Sequence, residues 1–198
     1  MTYFITALDA EARPLIEHYR LKRFAAFPYP LYTGEGMYLI ISGMGRENAM
    51  MAASALCGYR QPSANDILIN IGICGAPERY SIGEWLIIHQ IRHFDRTFYP
   101  DILYSHPFKE TSLSCVDRPA DASHDIPVDM ESAGVFAAAS RFFKLHQLAF
   151  AKIVSDQWKP WPCLLPGSMQ QLNTTSVFTK EKTMFGIGMT ELLVILAI

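Results

Sequence analysis

The sequence predicts an α/β fold: a single domain with a central mixed sheet flanked by helices on both faces. Three observations carry that expectation. Short apolar runs alternate along the chain with stretches of helical spacing. The runs are apolar nearly throughout instead of alternating, as strands read when both faces of their sheet are covered. Most of them end in glycines or carboxylates, which suits the ligand-binding edge of an open α/β sheet. The chain has 198 residues, 50% hydrophobic and 18% charged, enough to bury a sizeable core.

TYFITAL, from Thr2, reads as a first strand. DAEARPLIEHYRL follows with helical spacing and an apolar face at Leu15, Ile16 and Tyr19. MYLIISGMG is a buried strand ending in glycines, and ENAMMAASALCGY an Ala- and Met-rich helix after a polar start. DILINIGICGA is a second buried strand, ending around Gly72 and Gly75, and EWLIIHQIRHF a longer, partly alternating one. VDMESAGVFAAASRFF is a short extended piece running into a helix, and LAFAKIVSDQW is a last strand. After Trp158 the pattern breaks: KPWPCLLPGSMQQLNTTSVFTKEK holds three prolines and little periodicity and reads as a loop or poorly ordered segment. The expected organisation is therefore a domain over 1–158, a linking segment over 159–183 and an apolar tail over 184–198.

Composition excludes several functions. A net charge of −2 leaves no electrostatic footprint for nucleic acid. The four cysteines, Cys57, Cys74, Cys115 and Cys163, are scattered singly with no CxxC, so neither a zinc nor a disulfide framework is expected; reduced thiols suit a cytoplasmic protein. The N-terminus shows no basic region followed by a long apolar one, and is not read as a secretory signal. The tail ends in LLVILAI, short of the ~20 apolar residues a spanning helix needs; membrane contact through it stays an open reading. Its last stretch, MFGIGMTELLVILAI, resembles the start of a small twin-arginine translocase subunit and bears no relation to the body. His89 and His93 share an i, i+4 spacing, but on a strand that puts them ~13 Å apart on one face. No metal and no cofactor is expected.

The candidate chemistry lies where strands end. The first delivers Glu11, and the second delivers Ser42, Gly43, Gly45 and Arg46. The third delivers Cys74 and Gly75, the piece before the long helix Asp129, Met130 and Glu131, and the last Ser155 and Asp156. Each has a plain alternative. Glu11 suits a solvated first-turn position favoured by the helix dipole. Asp129 or Asp156 suits a cap. GMG and GICG suit tight turns. Neither glycine motif matches GxGxxG or a P-loop, so nucleotide-phosphate binding has no support from them. The aromatics Phe94, Phe98, Tyr99 and Tyr104 read as core and loop packing, with an apolar wall for a flat ring as the sharper alternative. Together the strand ends point to a site built from carboxylates.

In order, ALDAEA, SGMGRENA, NIGICGA, VDMESAGVF and KIVSDQW resemble the purine nucleoside phosphorylase superfamily over about residues 1–158. Within it the pattern is most similar to the methylthioadenosine/S-adenosylhomocysteine nucleosidase branch. The resemblance implies a nucleoside phosphorylase/hydrolase-like fold, a nucleoside ligand and a homodimer. It also implies roles: Glu11 activates the attacking water, Glu131 accepts the ribose hydroxyls, Met130 packs on the sugar, and Asp156, with Ser155 beside it, protonates the departing purine. Ile73 and Cys74 stand where the nucleosidases carry a small hydroxyl residue. SCVDRPA aligns loosely with their base-binding loop, and the segment between it and VDMES is shorter than theirs.

Those residue types fit cleavage of an N-glycosidic bond. The reaction passes through an oxocarbenium-like state. It needs an acid for the leaving base, a base for the water and a clamp on the sugar, as in inverting glycoside hydrolysis. Hydrolysis is the expected reaction. The alternatives are phosphorolysis with Arg46 at the phosphate, a catalytically silent nucleoside- or partner-binding descendant, and a protein whose working part is the tail.

Overall fold

The computed structural model describes residues 1–118 and 124–158. Within them the chain runs β1 (Thr2–Thr6), α1 (Asp9–His18), β2 (Lys22–Phe24), β3 (Leu31–Gly34), β4 (Met37–Ile41), α2 (Arg46–Arg60) and β5 (Ile67–Pro77). It continues through β6 (Trp85–His93), β7 (Arg96–Phe98), β8 (Lys109–Cys115), β9 (Val128–Asp129), α3 (Ser132–Ala139) and β10 (Leu148–Trp158). All the strands belong to one mixed sheet, with helices on both of its faces, as the sequence predicts.

The strand periodicity explains the two layers of core. On β1, Phe4 points to one side, where Ala12 and Leu15 of α1 pack with Leu39, Ile41 and Ile69. Tyr3 and Ile5 point to the other, where α2 (Ala49, Ala52, Ala53, Leu56) and α3 (Ala133, Val135, Phe136) cover the sheet. Side chains alternate across a strand, so an uninterrupted apolar run is what a sheet buried on both faces requires.

The long strand β5 organises the molecule. One edge pairs in parallel with β10, from Leu68 opposite Leu148 to Pro77 opposite Trp158. The other edge serves two neighbours: Ile67–Asn70 pair with β1, and Gly75 pairs with Val128 of β9. β10 also pairs with β6, β6 with β8, and β8 with β9, so the strands beyond β5 curl back onto it. Between the end of β1 and the arrival of β9 the sheet forks, beside Gly72 and Ile73. Such a crevice, where neighbouring strands diverge, is where open α/β sheets place ligands.

Several expectations change. The strand read as ending at its glycines runs through them to Pro77. β2, β3, β7 and β8 carry no apolar run and escape the hydrophobic pattern; KETSLSC in β8 buries only its small alternate residues and Leu113. The helix after Glu131 is only Ser132–Ala139. Ser155 and Asp156 lie inside β10, at an irregularity in its pairing with β5. His89 and His93 do not share a face: a register shift between Ile88 and Gln90 leaves His89 exposed and His93 buried. Of the aromatic cluster, Phe98 packs on Phe136 while Phe94 is 83% exposed. The linking segment and the apolar tail lie outside the described residues. Among the described residues, no helix is long and apolar enough to cross a membrane.

Candidate active site

Glu11 sits in the first turn of α1, yet it is buried, not solvated. Its side chain turns back into the fork. Oε2 accepts the backbone N–H of Ala7 (2.7 Å) and of Leu8 (2.9 Å), and Oε1 that of Ile73 (3.0 Å) on β5. Burial pushes its pKa up, while the Ile73, Leu8 and Ala7 N–H groups and the Lys152 ammonium pull it down. Burial outweighs those donors, so the carboxyl is more basic than one in water.

Asp129 and Glu131 divide two tasks between them. Asp129 is buried and acts as a cap: Oδ2 accepts the Ser132 N–H (3.0 Å) and the Ser132 hydroxyl. The same oxygen lies 2.8 Å from the ammonium of Lys152, with both side chains 1% exposed. Its Oδ1 is buried without a partner among the described residues. Glu131 occupies the cap position of α3 but its side chain does not cap the helix. It crosses to the start of α2, where Oε1 accepts the Gly45 N–H (2.9 Å); Oε2 lies 3.3 Å from the Met130 N–H. Burial, then the Asp129 charge, push the Glu131 pKa up to about 7, against the pull of Lys152 and the Gly45 N–H; the Glu11 charge pushes it up as well. Met130 is half-buried beside it.

On the other edge of β5, Asp156 stands opposite Gly75, and both it and Ser155 are half-buried. The Ser155 hydroxyl lies 2.6 Å from Asp156 Oδ1 and 3.2 Å from the Cys74 carbonyl. The Cys74 thiol is buried, and burial pushes its pKa up.

The segment Ser42–Gly45 forms the loop between β4 and α2, and Arg46 opens α2. Ser42 is buried, with its N–H on the Thr6 carbonyl and its hydroxyl within reach of the Thr6 and Gly43 carbonyls. The backbone at Gly43 and Gly45 has φ of +80° and +99°, which turns the Gly45 N–H toward Glu131. The Arg46 guanidinium lies 3.3 Å from Asp117 Oδ1 and also meets Glu47. Asp117 belongs to the stretch SCVDRPA, whose described part is tied to β9 through Val116 N–H on the Asp129 carbonyl. His93 faces the Cys115 carbonyl through Nδ1 (2.9 Å), and His89 faces Ser112. Among the described residues no group of three or more His, Cys, Asp or Glu is arranged to hold a metal ion.

The fold thus brings Glu11, Met130 and Glu131 together around the fork, with Ser155, Asp156, Cys74 and Gly75 along the adjoining part of β5 and β10. Sequence reasoning missed Lys152 and the burial of Asp129. A signal was present: a lysine in the apolar run LAFAKIV must be buried if the run is a covered strand, and a buried charge needs a partner.

A family model, described as the phosphorylase superfamily, matches residues 3–124. No curated protein matches the chain by sequence. The fold is similar to that of 5′-methylthioadenosine/S-adenosylhomocysteine nucleosidase from S. pneumoniae, with a TM-score of 0.70 at 18% identity, covering 99% of this chain and 98% of that one. Arabidopsis thaliana 5′-methylthioadenosine nucleosidase gives 0.68 at 20% identity, covering 99% and 89%. The Neisseria meningitidis 5′-methylthioadenosine/S-adenosylhomocysteine nucleosidase gives 0.66 at 18% identity, covering 78% and 85%.

Proposed function

The chain belongs to the phosphorylase superfamily, and from that premise we propose that it is a nucleosidase that hydrolyses the N-glycosidic bond of a purine nucleoside or thionucleoside. The observation that carries this reading is the state of Glu11. It is a buried carboxylate in a crevice, oriented by three backbone N–H groups and made more basic by burial. That is the character a group needs to take a proton from water.

In this reading water attacks C1′ as the bond from C1′ to the base nitrogen breaks. Glu11 receives the water proton. The electron pair of the broken bond leaves with the base, which Asp156 protonates at N7, with the Ser155 hydroxyl orienting Asp156. Glu131 accepts the ribose 2′- and 3′-hydroxyls, a charge-assisted clamp, and Met130 packs on the sugar. The negative charge gathered around the fork favours the cationic sugar of the transition state. The names of the similar structures make 5′-methylthioadenosine and S-adenosylhomocysteine the first substrates to try.

Water is favoured over phosphate by the partners of Arg46. Its guanidinium is already matched by Asp117 and Glu47, and the neighbouring Gly45 N–H is directed at Glu131. A phosphate would have to displace both. The same reading takes the protein to be a cytoplasmic homodimer: Cys57, Cys74 and Cys115 are free, buried thiols, which suits a reducing compartment. Light scattering on the purified chain tests the dimer.

The deciding assay is chromatographic detection of free base. Methylthioadenosine, S-adenosylhomocysteine, adenosine and inosine are supplied with and without phosphate, to the wild type, Glu11→Gln and Asp156→Asn. Release without phosphate, lost in both variants, is the expected result. Release only with phosphate makes the protein a phosphorylase, and no release from any of them rejects the reading.

A further inference from the structure

Lys152 is the only fully buried lysine or arginine among the described residues, and it has no place in the chemistry above. It stands on β10 opposite Gly72 of β5, the residue against which the Glu11 carboxylate lies. Its ammonium reaches Asp129 at 2.8 Å, two residues before Glu131. We propose that Lys152, anchored by Asp129, is a positioning residue: its ammonium, buried against Asp129 two residues before Glu131, favours the ionised form of Glu131 so that the ribose hydroxyls have an acceptor.

This rests on the nucleosidase reading for the ribose, but the electrostatic argument stands on the geometry. Three carboxylates in a crevice of low dielectric cannot all remain ionised without a cation, and the least supported one takes up a proton first. Asp129 has Lys152, the Ser132 N–H and the Ser132 hydroxyl. Glu11 has three backbone donors. Glu131 has the Gly45 N–H and a long contact to Met130 N–H, the fewest donors of the three, and its pKa is raised by burial and the Asp129 charge. The charges acting on it are Asp129 from its own segment, Lys152 from β10 and Glu11 from α1; the Cys115 thiol of β8, which feels Asp129, Lys152 and Glu131, is kept protonated by burial. Asp129 and Lys152 therefore act on Glu131 with opposite signs. The burial that would strip Lys152 of its proton is outweighed by Asp129, Glu131 and Glu11, so the ammonium persists.

Opposite signs make the test specific. The Glu131 carboxyl is titrated by carbon-13 NMR in the ligand-free full chain, for wild type, Lys152→Met, Lys152→Arg and Asp129→Asn. Lys152→Met is expected to raise the Glu131 midpoint by about one pH unit or more, a tenfold gain in proton affinity. Asp129→Asn is expected to lower it, and Lys152→Arg to keep it near the wild-type position. The acid limb of kcat/KM should move with the midpoint, in the same direction. An unmoved midpoint in folded Lys152→Met overturns the proposal. So does a shift of the same sign in Lys152→Met and Asp129→Asn, which general loosening of the packing would produce. If Lys152→Met does not fold, Asp129→Asn decides by its sign, and an unmoved or raised midpoint there is fatal. If no variant and no wild type releases a base while Glu131 moves as expected, the nucleosidase reading fails and the role of Lys152 stands.

Discussion

Glu11 Oε1 occupies the space that a β-carbon on Gly72 would need: the two atoms would stand 2.9 Å apart. Gly72 is therefore not a turn residue. It lies inside β5, and its missing side chain lets the carboxylate rest on the strand and reach the Ile73 N–H. Gly72→Ala should displace that carboxylate by a fraction of an ångström while the sheet persists. A misplacement of about 1 Å can cost about 10²-fold in rate, so this smaller one should lower kcat by up to about that factor. Steady-state kinetics on a variant whose urea midpoint stays close to wild type would show the expected loss; unchanged kcat would separate Glu11 from the chemistry.

Gly134 makes the corresponding contact on the other side of the fork. A β-carbon there would fall 2.1 Å from the Arg46 carbonyl oxygen, so α3 and the start of α2 touch backbone to backbone. Gly134→Ala must push α2 away, and with it the Gly45 N–H that Glu131 accepts. Overpacking of this kind costs about 1–3 kcal/mol. Urea unfolding should show that loss, accompanied by a raised KM.

Glu131 links stability to pH. Its folded pKa, about 7, lies above the ordinary 4.5, so between those values the folded state binds more protons than the unfolded one. Stability contributed by this group is full below about pH 4.5 and is lost as pH rises through about 7. The difference is on the order of 3 kcal/mol. Denaturant titrations from pH 5 to 8 should show this fall, and Glu131→Gln should remove it. Ligand binding should run the other way, strengthening through the same range as the carboxylate ionises.

Asp156 is tested by the leaving group. If it protonates the departing base, Asp156→Asn should lower kcat on a natural purine nucleoside by about 10²–10⁴-fold. On a nitrophenyl riboside, whose leaving group needs no proton, the same variant should lose little. Equal losses on both would make Asp156 a structural partner of Ser155.

Much of the site was legible because it is local. Glu11 lies in the first turn of the helix after β1, Asp129–Glu131 at the end of β9, and Ser155–Asp156 within β10, so each could be placed near a strand end from the local pattern. What each carboxylate does was not legible. Asp129 reads as a possible cap and the family resemblance puts Glu131 in a pocket; the Ser132 contacts make Asp129 the cap, while Glu131 crosses to Gly45. Arg46, open as a phosphate ligand in the sequence, is taken by Asp117, a residue on a loop far along the chain.

The sequence by itself determined the α/β class, the three helices, the covered strands and the family resemblance, because the spacing of apolar residues within a segment is set by backbone geometry. The tertiary structure alone decided that β5 serves both β1 and β9 on one edge, and that the crevice opens between them. It also decided that Lys152 meets Asp129 there. Strand pairing and the partner of a buried charge depend on register between segments distant in the chain, and no local pattern records that register.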